Sequence, residues 1–139
     1  MSWVRAWIHL VFSTKERIPY MGTHEVRRKI IDHIFQNAKE KEILIYSVNG
    51  YSDHLHCLFL LNRDQSISKV AQLIKGESAF WINKNKLLHD HFEWQDDYWA
   101  VSVGENDVQR VKKYIASQEE HHSKRSFSEE IDTFQSNCS

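Results

Sequence analysis

The sequence has few of the residues that interrupt or cross-link a chain. Its 139 residues include one proline, four glycines and two cysteines. So few prolines and glycines predict long, uninterrupted helices and strands. Cys57 lies in an apolar run and Cys138 near the C-terminus, which indicates no disulfide framework and favours a reducing compartment. The apolar runs are short, and this excludes a membrane-spanning helix.

Charge and the N-terminal residues narrow the class of protein further. The chain has 18 Lys and Arg against 19 Asp and Glu, a formal net charge of −1. A protein bound permanently to duplex DNA usually carries a strong basic excess, so the near balance argues against that class without excluding a local basic groove. No charged leader precedes an apolar stretch at the N-terminus, and we therefore expect a cytoplasmic protein.

The spacing of apolar residues predicts seven elements in the order β-α-β-β-α-β-α. The predicted strands cover residues 3–12, 43–48, 54–61 and 98–103. The first two predicted helices follow Thr23 and Ser66, the second with Phe80 and Trp81 on its buried side, and the third opens at Glu105 or Asn106 and runs to about His122. Asn49-Gly50 is a turn signal. The first six elements match an α+β, ferredoxin-like βαββαβ sheet with two helices on one face, which leaves the third helix without a place.

His54-Leu55-His56 begins the most apolar predicted strand. Residues i and i+2 of a strand point the same way with Cα atoms roughly 6.5–7 Å apart, so both imidazoles could bind one metal ion. They could equally be two histidines on a half-exposed sheet face, since His89-Asp90-His91 has the same spacing in a charged loop. Asp53 could orient a histidine or be a turn residue, and we favour the turn.

A second pattern lies in the last predicted helix. Tyr114 and Gln118 are four residues apart and therefore share a helix face. Val108, Val111 and Ile115 form a separate apolar stripe that would dock the helix. A rim tyrosine beside a solvated glutamine is the more common fate of such a pair, and position alone does not distinguish Tyr114 from the other tyrosines.

Taken together, the two segments resemble the single-tyrosine HUH transposases of bacterial insertion sequences of the 200/605 type. This IS200-like family, with relatives associated with repetitive extragenic palindromes, has His-hydrophobe-His on a central strand and Tyr-x-x-x-Gln on a C-terminal helix. The similarity covers roughly residues 3–128, and further matches are His9-Leu10-Val11-Phe12 running into Lys15, and Lys75-Gly76.

The resemblance implies a DNA transposase that cuts and rejoins single-stranded DNA. Tyr114 would attack a phosphodiester to give a 5′-phosphotyrosine and a free 3′-hydroxyl. His54, His56 and Gln118 would hold a divalent metal ion, for which nitrogen and amide donors suit Mn²⁺ better than Mg²⁺, although cellular abundance favours Mg²⁺. The sequence has no GxxxxGK[ST] run, in agreement with a reaction that needs no ATP.

The resemblance further implies a DNA partner with a hairpin and a homodimer with composite active sites. Tyr114 of one subunit would face His54 and His56 of the other, and the partner would cover Leu58 and Leu60 on the histidine side of the strand. We expect one domain over residues 1–128 and a polar tail over 129–139. Basic residues available for DNA binding are Lys15, Arg17, Arg28, Lys75, Arg110, Lys112 and Lys113.

Two other functions fit parts of the sequence. A non-catalytic single-stranded nucleic-acid-binding module could use Trp3, Trp7 and Phe59 as stacking platforms on the same fold. A replication initiator or relaxase shares the His-x-His motif, but such enzymes usually carry a further metal-binding histidine and a larger chain. Covalent attachment to DNA separates the first alternative from a transposase.

Overall fold

Four strands and three α-helices make up residues 4–118, the part of the chain that the computed structural model describes. The strands are β1 (Ala6–Ser13), β2 (Leu44–Gly50), β3 (His54–Leu61) and β4 (Trp99–Val103). The α-helices are α1 (His24–Glu40), α2 (Ile67–Lys84) and α3 (Val108–Ala116). Short 3₁₀ turns precede the first and third helices at Lys15–Arg17 and Glu105–Asp107. None of the helices in this part of the chain is long and apolar enough to cross a membrane.

The strands form one antiparallel sheet in the order β2-β3-β1-β4. This is the strand order of a ferredoxin-like βαββαβ unit, so the predicted α+β fold is confirmed. The two central strands pair along their whole length, from Ala6 opposite Leu61 to Ser13 opposite His54. The sequence prediction placed β3 at its observed bounds because its continuous apolar run is typical of a central strand.

Alternation along the strands separates two apolar cores. Ile8, Leu10 and Phe12 of β1 face α1 and α2, and pack with Leu55, Cys57 and Phe59 of β3 in the main core. The intervening residues face the other side of the sheet. There, α3 covers the sheet with Val108, Val111 and Ile115, the predicted stripe, all of which are buried.

The position of α3 corrects one prediction. We expected a partner subunit to cover Leu58 and Leu60, because a two-layer fold has no slot for a third helix. Instead α3 of the same chain lies on that face, and Leu58 is fully buried beneath it. A four-stranded sheet has two faces, and the third helix occupies the one that α1 and α2 leave open.

Helix ends follow the predicted caps, with one departure on α2. The side chains of Thr23 and Ser66 accept hydrogen bonds from the amides of Val26 and Lys69, which caps α1 and α2. The prediction that Phe80 lies on the buried side of α2 is wrong, because this residue is 64% exposed. The buried face of α2 is instead formed by residues that include Ala71, Ile74 and Ser78, and Phe80 lies outside this face.

The predicted Asn49-Gly50 turn is also wrong, because both residues belong to β2. Gly50 pairs with Leu55, and the chain reverses over residues 51–53. A Cβ on Gly50 would lie 2.1 Å from the His54 carbonyl oxygen. The glycine is therefore needed for close strand approach at the start of β3.

Candidate active site

The alternation of β3 places both histidines of the His-x-His motif on the α3 side of the sheet. His54 and His56 are fully buried, with ring centroids 5.2 Å apart. Cys57 points the opposite way, into the main core, where burial raises the pKa of its thiol. The single thiol on this strand therefore takes no part in the histidine site.

His54 contacts a side chain at each of its ring nitrogens. Asp53 accepts a hydrogen bond from Nδ1 at 2.8 Å, and Nε2 lies 3.3 Å from Oε1 of the buried Gln118. The backbone carbonyl of Asp53 is held by the amide and hydroxyl of Thr14, at 2.8 and 3.2 Å. Our preference for a turn role alone was wrong, since Asp53 lies in the β2–β3 connection and also orients the imidazole.

His56 is hydrogen bonded to a third buried histidine, His9 of β1. His9 Nε2 lies 2.9 Å from His56 Nδ1, and the two rings stack with centroids 5.1 Å apart. Trp99 meets the His9 ring edge-on at 5.2 Å and fixes it from the other side. In the sequence, His9 stands out only as part of a family match. The alternation of β1 is enough to place His9 on this face of the sheet. Its hydrogen bond to His56, however, depends on the register of β1 against β3.

Tyr114 lies above the three histidines on α3. Its ring centroid is 5.7 Å from that of His56 and 6.4 Å from that of His9. Gln118 follows one turn later, and its Nε2 donates to the Tyr114 carbonyl at 3.3 Å. Thus Tyr114 and Gln118 meet His54 and His56 within this single chain, whereas the composite-site prediction pairs them across two subunits. The homodimer itself stays a prediction.

Side chains at both ends hold α3 on the sheet. Before the helix begins, Glu105 accepts hydrogen bonds from Trp7 Nε1, at 3.0 Å, and from Arg5. At its C-terminal end, Asn49 Nδ2 donates to the Ala116 carbonyl at 3.1 Å. These contacts fix the helix lengthwise, so that Tyr114 and Gln118 stay over the histidines.

The donor set can be tested against a divalent metal ion. With Asp53 accepting from Nδ1 of His54, the ring would bind a metal ion through Nε2, which lies 3.3 Å from the amide oxygen of Gln118. A bond between His56 Nδ1 and His9 leaves Nε2 as the coordinating atom of His56. Two imidazole nitrogens and an amide oxygen fit Mn²⁺ or Mg²⁺. Within residues 4–118, no three His, Cys, Asp or Glu side chains gather as an alternative metal site.

Most of the predicted DNA-binding cations are engaged with other groups. Lys15 pairs with Glu93 at 3.0 Å, and this hydrogen bond raises the pKa of the lysine and lowers that of the glutamate. Arg110 pairs with Asp107 at 3.6 Å, and Lys112 lies 4.4 Å from the Tyr46 ring centroid. Arg17 and Lys113 are exposed. Arg28 pairs with Asp32 on the outer face of α1.

Two other sequence interpretations can be compared with the structure. His89-Asp90-His91 is exposed, as expected of a surface loop. Trp7 and Phe59 are buried beneath α3 and in the main core, so they offer no stacking platform, whereas Trp3 lies outside the described residues. His121, His122 and Cys138 also lie outside them.

Comparisons with known proteins agree on one family. A family model described as "Transposase IS200 like" matches residues 2–118. The ISDra2 transposase TnpA of Deinococcus radiodurans is 27% identical over 116 residues, which cover 79% of this chain and 81% of the relative.

Two solved structures share the fold. One is a Deinococcus radiodurans R1 protein described as a transposase, with a TM-score of 0.68 and 20% identity, over 84% of this chain and 93% of that one. The other is a REP-associated tyrosine transposase bound to a REP hairpin, with a TM-score of 0.63 and 17% identity, over 88% of this chain and 72% of that one.

Proposed function

Because the chain belongs to the family of IS200-like transposases, we propose that it cleaves and rejoins single-stranded DNA through a covalent bond between Tyr114 and a 5′-phosphate. The observation that supports this best is the meeting of Tyr114 and Gln118 with His54 and His56 on one face of the sheet. A tyrosine hydroxyl has an ordinary pKa of about 10 and is a weak nucleophile at neutral pH, so it needs help from its surroundings.

The histidines and Gln118 would hold a divalent ion, which supplies charge stabilisation to the scissile phosphate. Asp53 orients the His54 ring and His9 orients the His56 ring, in each case through a hydrogen bond at Nδ1. All three proposed ligand side chains are fully buried, which strengthens the electrostatic interaction between the ion and the phosphate.

The reaction balances without a further reactant. The Tyr114 oxygen forms a bond to phosphorus as the bond from phosphorus to the 3′-oxygen breaks. The tyrosine proton is lost to solvent, and the released 3′-oxygen takes up a proton to become a hydroxyl. The phosphotyrosine keeps the energy of the phosphodiester, so attack by a 3′-hydroxyl reverses the step and joins two strands.

The substrate is single-stranded DNA that carries a hairpin. A relative in the fold comparison is bound to a REP hairpin, and we extend that DNA class to this chain. We further propose that each active site is completed within one chain, because Tyr114 and Gln118 already contact the histidines of their own sheet.

Incubation with single strands from the flanking genomic ends, with Mn²⁺, tests the proposal. A denaturing gel should show a protein–DNA adduct and a shortened strand, and matched duplex DNA should give neither. Binding without any adduct would instead support the non-catalytic nucleic-acid-binding module and reject the proposed reaction.

A further inference from the structure

A second site lies on the opposite side of the sheet from the histidines. A groove of about 450 Å³ opens between α2 and the segment that leads into β4, a volume within the range of small-ligand sites. Its lining includes Gln72, Lys75 and Gly76 of α2, and Gln95, Asp96 and Tyr98 of the segment. No step of the proposed cleavage uses these side chains.

Gly76 leaves room in this groove. It lies inside the 18-residue helix α2, where glycine is less favourable than alanine. Apart from the neighbouring backbone of its own helix, a Cβ built on Gly76 would meet no protein atom within 4 Å. The protein's own packing therefore does not require a glycine here, whereas a molecule lying against the helix backbone would.

The lining suits a neutral, planar molecule with hydrogen-bonding edges. Tyr98 is 40% exposed and offers an aromatic face. Gln72 and Gln95 carry side-chain amides that can donate and accept hydrogen bonds. The side-chain oxygen Oε1 of Gln95 accepts a hydrogen bond from the backbone amide of Glu16 at 3.1 Å, which orients it. These are the groups that recognise nucleobases through stacking and edge contacts.

The charges argue against a phosphate in the groove. The Lys75 amine donates hydrogen bonds to the backbone carbonyl oxygens of Asp96 and Asp97, at 2.8 and 3.4 Å. Burial lowers the pKa of this lysine. The groove is also lined by two acidic residues, Asp96 and Glu93, and the second of these is paired with Lys15.

The groove lies at the same end of the sheet as the proposed active site. Thr14, at the end of β1, forms a bridge with Trp94 in the groove wall. The Thr14 amide also donates to the carbonyl of Asp53, next to His54. A strand held at the histidines could therefore reach the groove around the edge strand β4.

We propose that this groove binds one unstacked nucleobase of the single-stranded DNA substrate, and so fixes which phosphate reaches Tyr114. The inference rests on the proposed function for the identity of the substrate. It assigns the groove to base recognition and leaves the chemistry to the site on the other face.

Binding measurements in EDTA, where no cleavage is expected, test the groove. The probe is a fluorescently labelled single strand from the flanking genomic ends. Gly76→Leu fills the groove and Tyr98→Ala removes the stacking face, and each should weaken binding roughly 5- to 150-fold, the range of one base stacked on an aromatic ring. Phe80→Ala, which removes an exposed aromatic from the same helix outside the groove, should leave binding within about twofold of wild type.

An abasic scan of the same probe identifies the base. One abasic position should weaken binding to wild type and have no further effect on Gly76→Leu. The Tm of Gly76→Leu should stay equal or rise by roughly 3 °C, since leucine is the better helix former. Unchanged binding by Gly76→Leu, or abasic losses equal in both proteins, would overturn the proposal.

The two proposals fail separately. If wild type forms the adduct and Gly76→Leu binds DNA as wild type does, the proposed role of the groove is wrong and the proposed cleavage reaction is supported. If groove variants and the abasic scan behave as described but no adduct forms with Mn²⁺, the groove stands and the cleavage reaction is wrong.

Discussion

His9 and His56 lie on neighbouring strands with His9 Nε2 2.9 Å from His56 Nδ1, so one buried histidine fixes the ring of another. This bond selects Nε2 as the atom of His56 that can reach a metal ion. His9 is thus a positioning residue in the proposed site, with the same relation to His56 that Asp53 has to His54.

Replacing His9 by Phe keeps a ring against Trp99 and removes the bond to His56. We expect the Mn²⁺ concentration for half-maximal cleavage to rise about 10- to 100-fold, with activity regained at high Mn²⁺. His9→Gln places an amide near the former Nε2 and should behave more like wild type. An unchanged Mn²⁺ titration for His9→Phe would show that His9 is only a packing residue.

Tyr114→Phe removes a single oxygen from the proposed nucleophile. Strand cleavage and the covalent adduct should disappear, while binding of single-stranded DNA stays within about twofold, because the ring and its packing remain. Tyr98→Phe serves as the matched control and should still form the adduct. An adduct that persists in Tyr114→Phe and maps to Tyr51 or Tyr98 contradicts the assignment.

Removal of the metal, or of one ligand, should stop cleavage without unfolding the protein. EDTA should abolish the adduct and Mn²⁺ should restore it. His56→Ala should lower activity by at least about 100-fold, whereas His91→Ala, in the exposed motif of the same spacing, should have no effect. Full activity in chelator would exclude the metal role, and a collapsed Tm for His56→Ala would favour a purely structural histidine.

Mixing two inactive variants tests whether the site is built within one chain. In the structure Tyr114 lies 5.7 Å, between ring centroids, from His56 of the same chain. His56→Ala mixed with Tyr114→Phe should therefore stay inactive, since every site lacks one group. Restored cleavage, with subunit exchange verified by a tag pull-down, would show that two chains share the site.

The reactivity of the Cys57 thiol tests whether this residue of β3 points into the main core. Burial raises the pKa of its thiol, so the reactive thiolate is scarce throughout the ordinary pH range. In a Cys138→Ser background, iodoacetamide should leave the native protein unlabelled at pH values of about 8 and should label it in urea. Rapid labelling of the native protein would mean that Cys57 does not point into the core.

Local signals predicted most of the fold. The helix caps Thr23 and Ser66 and the bounds of β3 are properties of short segments, and the structure has them where the pattern placed them. The two segments that carry His54 and Tyr114 could also be picked out, because each has a fixed internal spacing.

The errors concern contacts with other elements of the fold. Which face α3 covers depends on the whole sheet, and a helix pattern does not distinguish its own sheet from that of a partner. The bond between His9 and His56 depends on the register of β1 against β3. Asn49-Gly50 has turn chemistry, but Gly50 is needed because the His54 carbonyl comes too close for any side chain.

The alternation of β3 decides which insertions this chain can tolerate. One extra residue inside the strand after His56 reverses the facing of everything on one side of it. Either Phe59 then leaves the main core, or both imidazoles turn into it and away from Tyr114. Two extra residues restore the facing. A relative could therefore keep His-x-His and Tyr-x-x-x-Gln letter for letter and still lose its active site through the parity of one insertion.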